Sequence, residues 1–175
     1  MGTTSPARRH ADVDVDVEMP VSSATLRSVL REVPTSVTVV TATAGGRPAG
    51  LTVGSFVSVS LDPPLIGIFV DEKSSSWPEM RNSDTFTVNV LAGDQQELCT
   101  RFATSGRDKF AGLPLQKSPL GNPLLPGIAA WIDCRVEEIR KLGDHHFALA
   151  RVTGMDTTAA TTSIVFHRGA LHAVP

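Results

Sequence analysis

Short runs of β-branched residues, each ending near glycine or proline, are the feature of this chain that most restricts its fold. Residues 37–43 are almost entirely valine and threonine and stop before Gly45, and residues 51–61 stop before Pro63. Valine and threonine favour strands, whereas glycine and proline favour turns. A parallel sheet needs helical crossovers between consecutive strands, and no such alternation is visible, so the strands are expected to be antiparallel.

Further strands are predicted at residues 65–70, 86–91, 131–139, 146–152 and 163–171. Residues 65–70 are an unbroken apolar run, which predicts a central strand buried on both faces. Apolar and charged residues alternate along 131–139, so Cys134 is expected in the core and Asp133 on the opposite side. Many strands with few helices predict a closed or partly closed antiparallel barrel, because closure hides strand edges.

Three short helices are predicted beside the strands. Ser22 or Ser23 is a suitable N-cap for the first, and Pro34 ends it. Its apolar face consists of residues at helical spacing, namely Leu26, Val29, Leu30 and Val33. Residues 76–79 fit a capping box at the start of a second helix, and Asp94 begins a third.

The chain is expected to form one domain, residues 21–175, behind a flexible N-terminal tail of residues 1–20. The tail contains an alternating acidic stretch at 12–18, which we interpret as an acidic arm in preference to an edge strand. Residues 112–127 are rich in proline, glycine and leucine and are expected to be a long ordered loop.

Charge and hydropathy argue against several classes of partner. The formal net charge is −2 without a basic cluster, so no nucleic acid or anionic membrane is expected to bind. No apolar run is long enough to span a bilayer, and the N-terminus lacks a secretory signal, which predicts a cytoplasmic protein. The two cysteines, Cys99 and Cys134, lack metal-ligand spacing and are expected to be core thiols, and no metal site is predicted.

Hydroxyl groups are concentrated in two segments where a ligand can bind. Residues 52–60 carry hydroxyls and Gly54 in a stretch otherwise suited to a sheet interior, and a strand glycine often marks close approach of a ligand. Residues 74–76 are three serines before a predicted helix, whose N-terminus favours negative charge. An opening for a flat ring beside an anion site is what a flavin mononucleotide moiety needs. Hydrolase, metal and dinucleotide-fold motifs are missing from the sequence.

Five segments, in order, resemble the short-chain flavin reductases, which are the reductase components of two-component flavin-dependent monooxygenases. They are residues 34–37, 50–65, 86–91, 108–110 and 143–145, and the resemblance covers residues 24–172. The resemblance implies a mainly β fold, an antiparallel, Greek-key-like split β-barrel with a few short peripheral helices. It also implies that the protein is a homodimer.

The resemblance implies twelve flavin-binding positions: Thr35, Ser36, Thr52, Val53, Gly54, Ser55, Ser58, Ser74, Ser75, Ser76, Asn89 and Phe110. Positions 52–55 would line the ring edge, largely through backbone atoms, and Ser58 with the 74–76 segment would hold the ribityl and phosphate end. His145 would face the flavin where the nicotinamide stacks and, with Asp144, would be catalytic by positioning the nicotinamide or relaying a proton.

The activity implied is an NAD(P)H:flavin oxidoreductase that transfers hydride from NADH or NADPH to FMN or FAD and supplies reduced flavin to a partner monooxygenase. The chain departs from the family pattern at Gly54, Ser36 and Leu171, where an asparagine, a glycine and an aromatic residue are usual. Two alternatives therefore stay open: a non-catalytic flavin- or haem-binding protein of the same fold, and an interaction barrel without a cofactor. The clustered hydroxyls argue against the second.

Overall fold

The structure is a computed structural model that describes residues 21–106 and 108–175, and within them it has three helices and twelve strands. The helices are α1 (Ser23–Leu30), α2 (Trp77–Met80) and α3 (Gln96–Ala103). The strands are β1 (Thr35–Ser36), β2 (Thr38–Ala44), β3 (Arg47–Val53), β4 (Val57–Leu61), β5 (Pro64–Asp71), β6 (Thr85–Val90), β7 (Gln116–Lys117), β8 (Pro123–Leu124), β9 (Ala130–Leu142), β10 (His145–Thr157), β11 (Ser163–His167) and β12 (Ala170–Val174).

Seven strands form one antiparallel sheet in the order β3-β2-β6-β9-β10-β5-β4. The sheet curls until the chain just after β3 reaches β5. There the Ser55 hydroxyl donates to the carbonyl of Phe69 at 2.6 Å and accepts from its N–H at 3.0 Å. This is the predicted split antiparallel barrel: a side chain spans the gap between β3 and β5 in place of a strand ladder, and an opening remains beside it.

Two apolar cores pack on either side of the sheet. The barrel interior contains Val40, Ile68, Val88 and Cys134, and a second core lies under α3 around Phe102. Both cysteines are buried, as predicted, and burial raises the pKa of the Cys134 thiol to about 12. A three-stranded sheet in the order β1-β11-β12 lies beside the second core, and the 112–127 segment contains the small β7-β8 pair.

The predicted long strand at 51–61 is wrong, because two strands, β3 and β4, occupy that stretch. The chain leaves the β2 ladder after Val53, and Ser55 turns toward β5. Ser55 and Phe56 reverse the alternation of apolar and hydroxyl residues at this break, but the residues on either side of it are typical of a strand, so the prediction ran across the break. The 65–70 run is largely buried as β5, but it lies second from the sheet edge and is not central.

Asp133 lies on the opposite side of the sheet from Cys134, as predicted, but it is fully buried there. Its carboxylate accepts hydrogen bonds from the hydroxyl of Thr87 and, at 3.0 Å, from the backbone N–H of Leu120. A charged residue can be buried when several donors satisfy it. The alternation along β9 shows which residues share a side of the sheet, but it could not show that the 112–127 segment covers the side of Asp133 near Leu120.

The N-terminal helix begins as predicted. The Ser22 hydroxyl accepts from the backbone N–H of Thr25 at 3.1 Å and caps α1. The apolar face of this helix lies in solvent, with Leu26 at 48%, Val29 at 62% and Leu30 at 54% exposure. Apolar spacing predicted the helix correctly, but none of the described residues buries its apolar face.

The capping box predicted at 76–79 is not formed. The helix α2 has four residues, and the Ser76 side chain makes no capping hydrogen bond. Residues 1–20, with the predicted flexible tail and its acidic stretch, lie outside the described residues. In the part of the chain that is described, no helix combines the length and apolar character needed to cross a bilayer.

Candidate functional site

A cleft of about 490 Å³ opens where the barrel is split. One wall is the end of β3 and the residues that follow it, 51–55. The other walls come from the end of β5, the loop that carries Ser74 and Ser75, the end of α3, and Lys109. His145, the first residue of β10, completes the lining because β10 pairs with β5 and places His145 opposite Asp71.

The β3 wall of the cleft is held rigidly by its own side chains. The Thr52 hydroxyl donates to the carbonyl of Cys99 at 2.7 Å, and Thr38 donates to the carbonyl of Val53 at 3.3 Å. Ser55 is occupied by its two hydrogen bonds to Phe69. These hydroxyls are therefore engaged within the protein, and the wall offers a ligand mainly backbone groups.

Gly54 is exposed at this wall, and its backbone does not require glycine. A Cβ built there would lie 3.4 Å from the hydroxyl oxygen of Thr35 and 3.7 Å from the carbonyl oxygen of Ser36, which are ordinary contacts. Gly54 lines both the cleft and a neighbouring cavity of about 360 Å³, which Thr35 and Leu171 also line. Two of the departures from the family pattern thus meet at one place.

Lys109 is a cation at the opposite end of the cleft. Its ammonium donates to the carbonyls of Gly50 at 3.2 Å and Phe102 at 2.8 Å, and to the hydroxyl of Ser76 at 3.0 Å. Partial burial lowers the pKa of Lys109. Within residues 21–106 and 108–175 no carboxylate lies within 4.0 Å of the ammonium, so its charge is not neutralised there.

Sequence reasoning missed Lys109 and Lys73 as cleft residues. Lys73 lines the cleft on the loop after β5, where its backbone N–H donates to the carboxylate of Asp71 at 2.8 Å. Lys109 stands in the 108–110 segment that resembled the family, but only Phe110 was assigned a role. A lysine inside a recognised motif was the available signal, whereas nothing in the sequence distinguished Lys73 from other surface lysines.

His145 and Asp144 form a side-chain pair at the mouth of the cleft. The Nδ1 atom of His145 lies 2.7 Å from a carboxylate oxygen of Asp144, whose side chain is exposed. The hydrogen bond with His145 lowers the pKa of Asp144. An ionised carboxylate can only accept, so Nδ1 carries the proton, and in the neutral ring Nε2 is the acceptor.

Seven predicted site residues come together in the cleft: Thr52, Val53, Gly54, Ser55, Ser74, Ser75 and His145. Ser76 and Phe110 line a second cavity of about 300 Å³ that shares Ser75 and Lys109 with the cleft. Asp144 reaches the site only through its contact with His145. Ser36 contributes no side-chain contact to the cleft, and its carbonyl lies near Gly54.

Ser58 and Asn89 are not brought to the cleft. Ser58 is an exposed residue of β4. Asn89 is fully buried, where its amide donates to the carbonyl of Val39 at 3.1 Å and its oxygen accepts from the N–H of Leu125 at 2.9 Å. The structure therefore places Asn89 in the core between the sheet and the 112–127 segment.

His146 follows His145 in β10 but has different surroundings. The ring is partly buried beside Trp77, with ring centroids 6.0 Å apart. Among the described residues neither Nδ1 of His146 nor Nε1 of Trp77 has a hydrogen-bond partner. Neighbouring histidines thus face different surroundings, because successive strand residues point to opposite sides of the sheet.

Comparison with known proteins agrees with this geometry. Residues 30–175 match the family described as "Flavin reductase like domain". The chain is 40% identical over 144 residues to a flavin reductase of Pseudomonas putida, covering 82% of this chain and 85% of that protein. It is 41% identical over 143 residues to the reductase subunit of a flavin-dependent monooxygenase of Rhodococcus jostii, covering 82% and 73%.

Solved structures with the same fold have related names. The nitrilotriacetate monooxygenase component B homologue of Mycobacterium thermoresistibile has a TM-score of 0.82 at 35% identity, covering 87% of this chain and 86% of that one. The Streptomyces globisporus NADH:FAD oxidoreductase, in complex with NAD and FAD fragments, has a TM-score of 0.80 at 32% identity, covering 87% and 92%. The fold, the family match and these relatives together show that the chain belongs to the flavin reductase-like family.

Proposed function

We propose that the protein is an NAD(P)H-dependent flavin reductase that transfers hydride from NADH or NADPH to FMN or FAD and supplies the reduced flavin to a partner flavin-dependent monooxygenase. One observation carries the proposal: seven residues assigned from sequence, in three separate segments, line a single cleft. The names of the Pseudomonas and Rhodococcus relatives support the same reaction and the same kind of partner.

The cleft fits a flat ring with an anionic tail. Its volume of about 490 Å³ lies within the usual range for small-molecule sites, about 300–1,000 Å³. The β3 wall offers backbone donors and acceptors fixed in place by internal hydrogen bonds. Because these groups are already fixed, binding a ring against the wall costs little side-chain conformational entropy.

The phosphate end of the flavin is proposed to lie beside Lys109 and Ser75. The Lys109 ammonium is positioned by three protein acceptors and still carries a charge that no described carboxylate neutralises. Bringing a phosphate close to it would offset the cost of its partial burial. Ser74 and Ser75 supply hydroxyls at the same end of the cleft, so the anion site does not depend on the short helix α2.

His145 is proposed to position the nicotinamide at the open side of the cleft or to relay a proton. When bound, the nicotinamide and the flavin supply the redox chemistry, a hydride and its acceptor. The Asp144 carboxylate fixes the imidazole through Nδ1, which leaves Nε2 to contact the nucleotide or a proton donor. The role of the protein is therefore to hold two flat rings in the geometry that hydride transfer needs.

We further propose that the protein is a homodimer. The exposed apolar face of α1, formed by Leu26, Val29 and Leu30 and continued by the exposed Val33 after the helix, supports an interface there. Exposed apolar side chains that form one contiguous face mark interaction surfaces more often than scattered ones do.

The proposed activity is tested by mixing the purified protein with NADH or NADPH and with riboflavin, FMN or FAD, and by following the absorbance of the reduced nicotinamide. We expect nicotinamide oxidation that depends on added flavin. A protein that binds flavin but leaves the nicotinamide unchanged in all six combinations would contradict the proposal.

A further inference from the structure

A second cavity adjoins the cleft at the split of the barrel. It has a volume of about 300 Å³ and shares Ser75 and Lys109 with the cleft of about 490 Å³. The strand β3 runs beside both spaces: residues 51–53, with Gly54 after them, line the cleft, and residues 48–50 line the second cavity. From residue 54 to residue 48 the chain covers about 20 Å, at roughly 3.3 Å per residue.

Among the described residues, the charged groups follow a definite order from the cleft to the second cavity. The ammonium of Lys109 lies where the two spaces meet, next to Ser75. The carboxyl groups of Glu79 and Asp108 lie beyond it, on the lining of the second cavity. One oxygen of Asp108 accepts from the backbone N–H of Phe110 at 3.0 Å, which fixes the direction of that carboxylate.

This order selects the kind of group that each part of the path can accept. The junction favours an anion because Lys109 is partly buried without a described carboxylate beside it. The second cavity disfavours a phosphate, since two carboxylates would repel it. It favours a neutral group that donates hydrogen bonds, because carboxylates are acceptors only.

We propose that the second cavity binds the adenosine end of FAD, so that FAD is the preferred flavin of this protein. The inference rests on the proposed function, which places the ring at residues 52–55. The diphosphate would then lie beside Lys109 and Ser75. The ribose hydroxyls and the adenine amino group would donate to Glu79 and Asp108. FMN ends at its phosphate and would leave the second cavity empty.

The adenosine of a nicotinamide nucleotide has the same chemistry, and the experiment separates the two sources. The full-length protein is titrated calorimetrically with FAD, FMN and riboflavin in the absence of nicotinamide. We expect FAD to bind about tenfold more tightly than FMN, the effect of one or two hydrogen bonds to a charged group. We expect riboflavin, which has no phosphate, to bind most weakly.

Glu79→Gln is the decisive variant, because Glu79 is exposed on α2 and the change preserves its size. We expect it to weaken FAD binding by about fivefold to tenfold and to leave FMN binding unchanged. Glu97→Gln is the matched control, since Glu97 is an exposed glutamate of α3 outside both spaces, and it should change neither affinity. Thermal unfolding of each variant checks that the fold is retained.

Equal affinities for FAD and FMN, unaltered by Glu79→Gln, would overturn the proposal. If the variant instead raised the KM for NADH with FMN as acceptor and left the FAD-to-FMN ratio unchanged, the cavity would serve the nicotinamide nucleotide and the assignment to FAD would be wrong. Failure of every flavin to bind would refute the proposed function itself, which is a different result from loss of the FAD preference.

Discussion

The contact between His145 and Asp144 fixes the side chain that we propose to position the nicotinamide. A short contact to a carboxylate keeps the imidazole in one tautomer and one orientation. The pKa of Asp144 is lowered by this hydrogen bond, so the contact is present above the ordinary Asp pKa and is lost as the pH falls through the lowered value. Near neutral pH the pair is therefore intact.

His145→Ala is expected to slow hydride transfer by about tenfold or more, because a misplaced nicotinamide reacts slowly even when it is bound. Flavin affinity should change little, since the proposed flavin contacts are with the β3 wall and Lys109. Stopped-flow mixing of the flavin-loaded protein with NADH measures the single-turnover rate, and a flavin titration measures affinity. A normal single-turnover rate would contradict the role proposed for His145.

The buried thiol of Cys134 provides a second test at the scale of a residue. Its pKa is raised to about 12, first by desolvation and then by the neighbouring charge of Asp133. At pH values between the ordinary pKa of a thiol and about 12, Cys134 loses its proton in the unfolded chain but keeps it in the folded chain. The free energy of unfolding should therefore fall as the pH rises above about 9, with a limit of about 1.4 kcal/mol per pH unit.

Cys134→Ala should reduce this slope, because it removes the group that titrates only in the unfolded state. Denaturant unfolding at several alkaline pH values measures the slope for both proteins. The native protein should also resist thiol reagents at neutral pH, since Cys99 and Cys134 are both buried. An unchanged slope in the variant would show that Cys134 ionises freely in the folded state.

Elements of this fold are held together by polar groups that the sequence pattern does not reveal. Cys134 was expected in the core and is buried there, because a period-two pattern shows which side of a strand faces apolar neighbours. Asp133 and Asn89 are buried for another reason, since each bonds to the backbone of the 112–127 segment. Hydrogen bonds between residues far apart in sequence depend on the tertiary structure, so a local sequence pattern does not predict them.

The break between β3 and β4 has the same explanation. Apart from a reversal at Ser55 and Phe56, the alternating apolar and hydroxyl residues of 51–61 are compatible with one long strand. Only the contact of Ser55 with Phe69 decides where the chain turns, and those residues are fourteen apart in sequence. The cleft lies at this break. The sequence therefore predicted several residues of the site but did not predict the shape of the site.

Asn89→Ala tests whether this residue supports the fold. Truncation leaves the N–H of Leu125 and the carbonyl of Val39 without their partner in a buried position. We expect the free energy of unfolding to fall by about 2–4 kcal/mol, with flavin affinity unchanged under native conditions. Asn82→Ala is the control, because Asn82 is exposed, and it should cost less than about 0.5 kcal/mol. A large loss of flavin affinity in a well-folded Asn89→Ala protein would show a direct role in binding.

At the scale of the whole molecule, the apolar face of α1 is a surface that the described residues do not cover. The resemblance to flavin reductases implied a homodimer, and the apolar face of α1 is where the chain offers an interface. Helical spacing predicted this face correctly, but the sequence of one chain does not say whether its own core or another molecule covers the face. The fold could be predicted from pattern and resemblance, whereas this surface needed the structure.

Leu26→Glu is expected to shift the protein from dimer to monomer, because it places a charge in the centre of the proposed interface. Ser28→Glu is the control, since Ser28 lies on the opposite side of the same helix and is also exposed. Sedimentation velocity of the three proteins measures the assembly state. A wild-type protein that sediments as a monomer at all concentrations would contradict the interface.

The most direct test of the account is a crystal structure with FMN bound. We expect the ring against residues 52–55, the phosphate beside Lys109 and Ser75, and His145 next to the ring where a nicotinamide can stack. Density for FMN at another surface of the protein, with the cleft at the split of the barrel empty, would contradict the central claim.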